Sequence, residues 1–226
     1  MEQEKKSNRT ELVFILDRSG SMGGLESDTI GGSNSTLEKQ KGVEGEARVT
    51  TVLFDNEYEL LHDRIPLNEV RSLTDRDYYV RGSTALLDAV GRTIDRVANA
   101  QKNTKEEYRA DKVMFVIITD GMENASREYS YARIKKMIER EREEYGWEFL
   151  FLGANIDAAA EAERLGIRPE RAARYCADAA GTALNFSVIG KAMKSMRMSK
   201  SKAAFEADMA CCMDKVRADF NKRGGK

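Results

Sequence analysis

The stretch FILDRSGSM, residues 14–22, begins as an apolar run and ends in one carboxylate and two hydroxyls with a glycine between them. Together with the residues before it, the run Leu12–Leu16 is continuously apolar. A continuous apolar run of this length indicates a strand that is buried on both faces. Polar residues directly after such a strand lie at its carboxyl end, which is where open α/β sheets bind ligands. The stretch therefore predicts a buried strand, and its polar end is either an ordinary loop or part of a metal site.

Short apolar runs alternate with helical patterns along the rest of the chain. The predicted strands are Leu12–Leu16, Ala47–Phe54, Glu57–His62, Val113–Ile118, Glu148–Leu152 and Arg174–Cys176. The predicted helices cover residues 25–42, 84–102, 131–145, 157–165 and 182–198. Asp55-Asn56 is a turn signal, so the third strand should pair antiparallel with the second. The pattern predicts an α/β fold with a doubly wound, mainly parallel sheet, one antiparallel edge strand and helices on both faces.

The composition excludes several classes of protein. The 226 residues are 41% hydrophobic and 33% charged, and the net charge of -1 argues against a general nucleic-acid binder. No apolar run approaches the roughly 18 residues that a membrane span needs, and the N-terminus lacks a signal-peptide pattern. We therefore expect a cytoplasmic protein without membrane contact. Cys176, Cys211 and Cys212 are odd in number and form no CxxC pair, which predicts reduced thiols.

The chain divides into three predicted segments. Residues 1–10 are expected to form a solvated tail, residues 11–198 the main domain, and residues 199–226 an amphipathic helix with a polar tail. The apolar positions of the last segment recur every three or four residues at Phe205, Met209, Met213, Val216 and Phe220. Two interpretations remain open: this helix packs on the same domain, or it docks a partner or a second copy of the chain.

Three loops carry oxygen donors close to predicted strand ends or helix starts. Asp17, Ser19 and Ser21 lie in the first loop, Thr84 follows Gly82-Ser83 in the second, and Asp120 lies in the third, Thr119-Asp120-Gly121. Carboxylate and hydroxyl oxygens are hard ligands that suit Mg²⁺, Mn²⁺ or Ca²⁺ better than zinc or copper. The three loops together predict a site for a hard divalent cation.

The order, spacing and strand context of these residues resemble the metal-ion-dependent adhesion site of von Willebrand factor type A domains, including stand-alone bacterial ones. The resemblance covers roughly residues 10–200. It implies a Rossmann-like sheet whose first and fourth strands are neighbours, so that Asp17 and Asp120 lie side by side. It also implies that Ser19, Ser21 and Thr84 bind the metal directly, while the two carboxylates act largely through water.

Five further residues are candidates for the rim of this site. Asn155 and Asp157 follow the predicted strand Glu148–Leu152, and Glu123 and Asn124 follow the third loop. Arg81 precedes the second loop and could steer an acidic partner. Helix capping is the alternative role for Asp157, and an ordinary solvated arginine is the alternative for Arg81.

The donor set favours binding over catalysis. Few charges touch the cation, so the carboxylate of a partner can complete its coordination. We expect a protein-binding module that captures an Asp or Glu of an unidentified partner through Mg²⁺, or through Mn²⁺ or Ca²⁺. One alternative is a Mg²⁺-dependent phosphohydrolase or phosphotransferase, but Ser19 occupies the position where that chemistry needs a second aspartate. The single histidine, His62, lies in the predicted hairpin strand, away from any serine that it could activate. Another alternative is an assembly protein that oligomerises through residues 199–226.

Overall fold

The computed structural model describes residues 8–223, and six strands within that range form one sheet. The strands are β1 (Arg9–Asp17), β2 (Glu46–Phe54), β3 (Tyr58–Pro66), β4 (Lys112–Thr119), β5 (Glu148–Gly153) and β6 (Ala172–Arg174). Their order across the sheet is β3-β2-β1-β4-β5-β6. Strand β3 is antiparallel to β2, and the other neighbours are parallel. The predicted fold class is confirmed, including the antiparallel edge strand.

Six α-helices connect or follow these strands within the described range. They are α1 (Glu26–Lys41), α2 (Leu86–Asn103), α3 (Tyr131–Tyr145), α4 (Ala158–Leu165), α5 (Ala179–Met198) and α6 (Lys202–Lys222). None of them is both long enough and apolar enough to cross a membrane.

The central strand β1 explains how the two helical layers are held. Its side chains alternate between the faces of the sheet, as strand geometry requires. Leu12, Phe14 and Leu16 join the apolar cluster that includes residues of α1, α5 and α6. Val13 and Ile15 join the opposite cluster, which includes residues of α2, α3 and α4. Because both faces are covered, the strand can be apolar throughout, which is the pattern that the sequence shows.

The first strand begins earlier than the sequence predicts. The backbone N–H of Arg9 donates to Asp111 Oδ2 at 2.9 Å, and its guanidinium donates to Glu46 Oε2 at 2.9 Å. These long-range contacts extend β1 into the segment predicted as a solvated tail over residues 1–10. That prediction is corrected for Arg9 and Thr10, and residues 1–7 lie outside the described range.

The last strand is displaced from its predicted position. It covers Ala172–Arg174 instead of Arg174–Cys176, because Ala172, Ala173 and Arg174 pair with Phe151, Leu152 and Gly153 of β5. The alanines carry little local signal for a strand, so the register depends on the partner strand.

The C-terminal helix α6 packs on its own domain. Four members of its apolar stripe are buried in the same cluster as the sheet residues; they are Phe205, Met209, Met213 and Val216. The fifth member, Phe220, is half-buried with the Arg174 guanidinium 4.7 Å from the centre of its ring. The apolar face that the sequence offered for docking is therefore covered within the chain.

Candidate metal centre

The carboxyl ends of β1 and β4 bring the first and third loops together. The two strands are parallel neighbours, with Leu16 opposite Ile118. Asp17 ends β1, and Asp120 directly follows β4. The chain passes from β1 to β2 on one side and later enters β4 on the other, so this edge is the switch point where α/β sheets bind ligands.

Asp17 is fully buried and holds the first loop in place. Its Oδ1 accepts a hydrogen bond from the Ser19 backbone N–H at 2.7 Å, and its Oδ2 accepts one from Thr119 Oγ1 at 2.6 Å. The Tyr78 hydroxyl donates to the Asp17 backbone carbonyl at 2.5 Å. Burial raises the pKa of Asp17 to about 6, although the hydrogen bonds from Thr119 and Ser19 oppose that shift. Burial therefore destabilises the charged carboxylate by more than the hydrogen bonds from these neutral donors stabilise it.

Three hydroxyls and the second carboxylate form one continuous chain of hydrogen bonds. Thr84 Oγ1 donates to Ser19 Oγ at 3.0 Å, and Ser19 Oγ lies 3.1 Å from Ser21 Oγ. Ser21 Oγ then donates to Asp120 Oδ1 at 2.5 Å. These hydrogen bonds join all three loops. Four predicted metal-ligand residues from separate stretches of the sequence therefore lie close together.

Two observations show that this point fits a hard cation. Asp120 Oδ2 is buried and has no hydrogen-bond partner among residues 8–223, and burial raises the pKa of this carboxyl group. A Cβ atom at Gly121 would lie 3.0 Å from Ser21 Oγ and 3.1 Å from Thr84 Oγ1, so the glycine keeps the space beside the hydroxyls open. Within residues 8–223, no three His, Cys, Asp or Glu side chains form a group that could hold a metal. The fit therefore depends on hydroxyl ligands together with two carboxylates.

Glu123 and Asn124 hold the second loop against the third. Asn124 Oδ1 accepts a hydrogen bond from the Thr84 backbone N–H at 2.9 Å, and the Asn124 backbone N–H donates to the Thr84 carbonyl at 3.0 Å. Glu123 accepts hydrogen bonds from the backbone N–H groups of Leu87, Ala125 and Ser126. It thereby caps the first turn of α2, which begins two residues after Thr84. The Asn124 side chain therefore holds Thr84, and the Glu123 side chain holds the start of α2 and the residues that follow the third loop.

The other three rim candidates have different surroundings. Asn155 is exposed at φ 54°, in the left-handed region that asparagine tolerates, and it lies beside the carboxyl end of β4 because the Ala154 N–H donates to the Thr119 carbonyl. Asp157 caps α4 by accepting a hydrogen bond from Ala160 N–H at 3.1 Å. The Arg81 guanidinium donates to Asp55 and Glu57, both at 2.7 Å, instead of projecting freely.

Sequence reasoning missed several residues that shape the centre. Thr119 and Tyr78 both hold Asp17, but neither the position of Thr119 in the third loop nor the charged stretch around Tyr78 indicates such a contact. Asp55 looked like an ordinary turn residue, yet it is buried between two arginines.

His62 is buried in β3, where its Nδ1 lies 3.0 Å from Thr51 Oγ1, and burial lowers its pKa.

Solved structures show which fold this arrangement belongs to. No protein-family model matches the sequence, and no curated protein matches it either. The chain nevertheless has the fold of von Willebrand factor type A domains, as comparison with solved structures shows. It matches proximal thread matrix protein 1 from the mussel byssus, in a structure with a zinc-occupied MIDAS motif, at a TM-score of 0.56 and 13% identity. That match covers 83% of this chain and 46% of the mussel chain.

Two further structures share the fold. The ArnB paralog VWA2 from Sulfolobus acidocaldarius matches at a TM-score of 0.51 and 14% identity, over 80% of this chain and 45% of that one. Manganese-loaded TRAP protein from Plasmodium vivax matches at 0.52 and 15% identity, over 78% of this chain and 71% of that one. This chain therefore spans slightly less than half the length of the mussel and archaeal proteins. At these identities the similarity establishes the fold and nothing finer.

Proposed function

We propose that this protein is a divalent-metal-dependent binding module that captures an acidic side chain of a partner protein. The observation that carries the proposal is the series of hydrogen bonds from Thr84 through Ser19 and Ser21 to Asp120 Oδ1. The other oxygen of that carboxylate, Oδ2, is buried and has no hydrogen-bond partner in the part of the chain that the structure describes. The residues that would hold the metal are Asp17, Ser19, Ser21, Thr84 and Asp120. Their oxygens suit Mg²⁺, and Mn²⁺ or Ca²⁺ share the same ligand preference.

The charges of these residues support capture of a carboxylate. Three of the five side chains are neutral hydroxyls, and both oxygens of Asp17 already accept hydrogen bonds from Ser19 and Thr119. Asp120 Oδ2 accepts no hydrogen bond from any described residue. A bound divalent cation would therefore keep part of its positive charge and offer a coordination position to an Asp or Glu from outside. Ser21 is exposed, so this position opens toward solvent.

The same residues argue for binding without catalysis. In DxD phosphotransferases the second aspartate is the acid–base group that reaches the reacting atoms. Ser19 stands where DxD phosphotransferases carry their acid–base aspartate, and His62 is paired with Thr51 in β3. We also propose that the protein acts in the cytoplasm, and that its partner is a protein and neither a nucleic acid nor a membrane. Metal-dependent turnover of a generic phosphoester that is lost in Asp17→Asn would contradict the non-enzymatic part.

Two neighbouring residues of the second loop offer a matched pair for testing the metal centre. Thr84 is buried and bonded to Ser19, whereas Ser83 is exposed. We expect Thr84→Ala to weaken Mn²⁺ binding by at least about tenfold in isothermal titration, because loss of a ligand should cost no less than loss of a residue that orients one. Ser83→Ala should bind Mn²⁺ like the wild type. Equal affinities for the two variants would contradict the ligand assignment.

A second experiment tests carboxylate capture separately. Water bound to Mn²⁺ relaxes quickly, so proton relaxation of the Mn²⁺-loaded protein reports displacement of that water. We expect N-acetylglutamate amide to lower the relaxation rate and N-acetylglutamine amide, its neutral isostere, to leave it unchanged. Identical responses to the two probes would refute the capture of an acidic side chain while leaving the metal centre intact.

A further inference from the structure

A buried ion-pair network lies directly beside the first two loops of the metal centre. Arg18, between the predicted ligand residues Asp17 and Ser19, has a side chain with 0% exposure. Its Nε donates to Asp55 Oδ2 at 3.0 Å. Arg81, three residues before Thr84, donates from its own Nε to the same Asp55 oxygen at 2.7 Å. Asp55 therefore bridges the two loops, although it belongs to neither.

Backbone hydrogen bonds join the same three segments. The Arg18 N–H donates to the Phe54 carbonyl at 2.8 Å, and the Arg81 N–H donates to the Arg18 carbonyl at 2.9 Å. The Ala85 N–H donates to the Asp55 carbonyl at 2.8 Å. The turn after β2 is thus attached to the residue that precedes Ser19 and to the residue that follows Thr84.

The packing around Asp55 makes this bridge stiff. The Asp55 and Arg18 side chains both have 0% exposure, so water does not reach the contact between them. The Tyr79 ring lies 5.5 Å from the guanidinium carbons of both Arg18 and Arg81. Arg18 also donates to Glu59 at 2.7 Å, and Arg81 donates to Glu57 at 2.7 Å. The cost of leaving a buried charge unpaired favours one arrangement of the two arginines.

We propose that Asp55 is a positioning residue of the metal centre, which fixes the spacing between Ser19 on the first loop and Thr84 on the second. Their hydroxyls lie 3.0 Å apart. Two backbone hydrogen bonds also join these segments, from Arg81 N–H to the Arg18 carbonyl at 2.9 Å and from Gly20 N–H to the Gly82 carbonyl at 3.3 Å. Metal ligands keep their geometry through the groups that orient them, so loosening this bridge should weaken the centre without removing a ligand. The inference rests on the proposed function, since it concerns the same centre.

A purely structural role for Asp55 needs a matched control, and the chain offers one. Glu148, at the opposite edge of the sheet, also bridges two arginines, Arg171 at 2.9 Å and Arg168 at 3.6 Å. Asp55 is fully buried and the Glu148 side chain is 14% exposed, and each carboxylate pairs with two arginines, so Glu148→Gln and Asp55→Asn should both lower stability. Their effects on the metal centre should differ.

The experiment measures Mn²⁺ affinity by isothermal titration at a low temperature where circular dichroism shows that each variant is folded. We expect Asp55→Asn to bind Mn²⁺ about tenfold more weakly than the wild type, and Glu148→Gln to bind it unchanged. If Asp55→Asn does not fold, Arg81→Ala decides, because it removes one arm of the bridge from a side chain that is 37% exposed. We expect a severalfold loss of affinity for that variant.

Two results would overturn the inference. The first is that Asp55→Asn and Arg81→Ala both bind Mn²⁺ as tightly as the wild type; if Asp55→Asn does not fold, Arg81→Ala alone decides. The second is that Glu148→Gln loses as much Mn²⁺ affinity as the variants of the bridge. A wild-type protein that binds no Mn²⁺ would instead reject the proposed function itself, so the two failures are distinguishable.

Discussion

The buried charge of Asp17 makes the metal-free protein less stable than it could be. The pKa of Asp17 is raised from an ordinary value of 3.8 to about 6, so the folded state holds this proton more tightly than the unfolded state. Stability falls with rising pH wherever the folded state binds more protons. The contribution of Asp17 is therefore lost between about pH 4 and pH 6 and does not return at higher pH.

The size of this effect follows from the two pKa values. Their difference is about 2.2, and each pH unit corresponds to about 1.36 kcal/mol, which gives about 3 kcal/mol at neutral pH. Replacing Asp17 with Asn removes the charge and keeps the shape. Asn Oδ1 can still accept from the Ser19 N–H, and its amide can donate to Thr119 Oγ1, whose hydroxyl lies 3.1 Å from the Gly121 carbonyl.

Urea unfolding with EDTA present measures this prediction. We expect Asp17→Asn to be more stable than the wild type by up to about 3 kcal/mol at pH 7.5, and the difference to vanish near pH 3.5. Asp55→Asn is the contrasting control: Asp55 is equally buried but paired with two arginines, so its replacement should cost about 3–5 kcal/mol. A destabilised Asp17→Asn at pH 7.5 would refute the reasoning. Excess Mg²⁺ should stabilise the wild type and leave Asp17→Asn unchanged, because only the wild type would bind the metal.

Two other predictions concern the space beside the hydroxyls and the C-terminal helix. Gly121→Ala should weaken Mn²⁺ binding in isothermal titration with little change in the unfolding midpoint, because the new methyl group would lie 3.0 Å from Ser21 Oγ and displace that hydroxyl. Gly42→Ala, whose methyl group would lie 3.8 Å from a carbonyl oxygen, should bind normally. Met209→Ala should cost about 2–5 kcal/mol in urea unfolding, since Met209 is fully buried in the main cluster, whereas Lys215→Ala on the exposed face of α6 should change stability by less than about 0.5 kcal/mol. A Met209→Ala variant as stable as Lys215→Ala would contradict the packing of α6 on the domain.

The sequence predicts the fold well because the deciding signals are local. The apolar runs before Asp17 and Asp120 are long enough to identify buried strands, and the parallel order then brings their carboxyl ends to one edge. Helix α3 begins and ends at its predicted residues, since its apolar spacing is regular and Gly146 ends it at φ 67°. The strand Ala172–Arg174 was misplaced because its pairing with β5, more than its own residues, determines its register.

The roles of individual residues at the site depend on long-range contacts that the sequence does not show. Asn124 and Glu123 are 36 to 40 residues from the backbone groups that they hold at the start of α2. Asp55 is 37 residues from Arg18 and 26 from Arg81. Residue type indicates that such side chains can accept hydrogen bonds, but only the folded arrangement identifies the donors.

The return path of α6 determines how the protein can be attached to a surface or a label. The helix spans 21 residues, about 30 Å, antiparallel to α5, and Arg223 pairs with Asp178 near the carboxyl edge of the sheet. Arg9 begins β1 at the opposite edge. Coupling the protein to a sensor chip on the side of Arg9 therefore leaves the carboxyl edge, with the metal centre, accessible to a binding partner. A fluorescent dye attached at the end of α6 would lie near that edge, so its emission could report binding there.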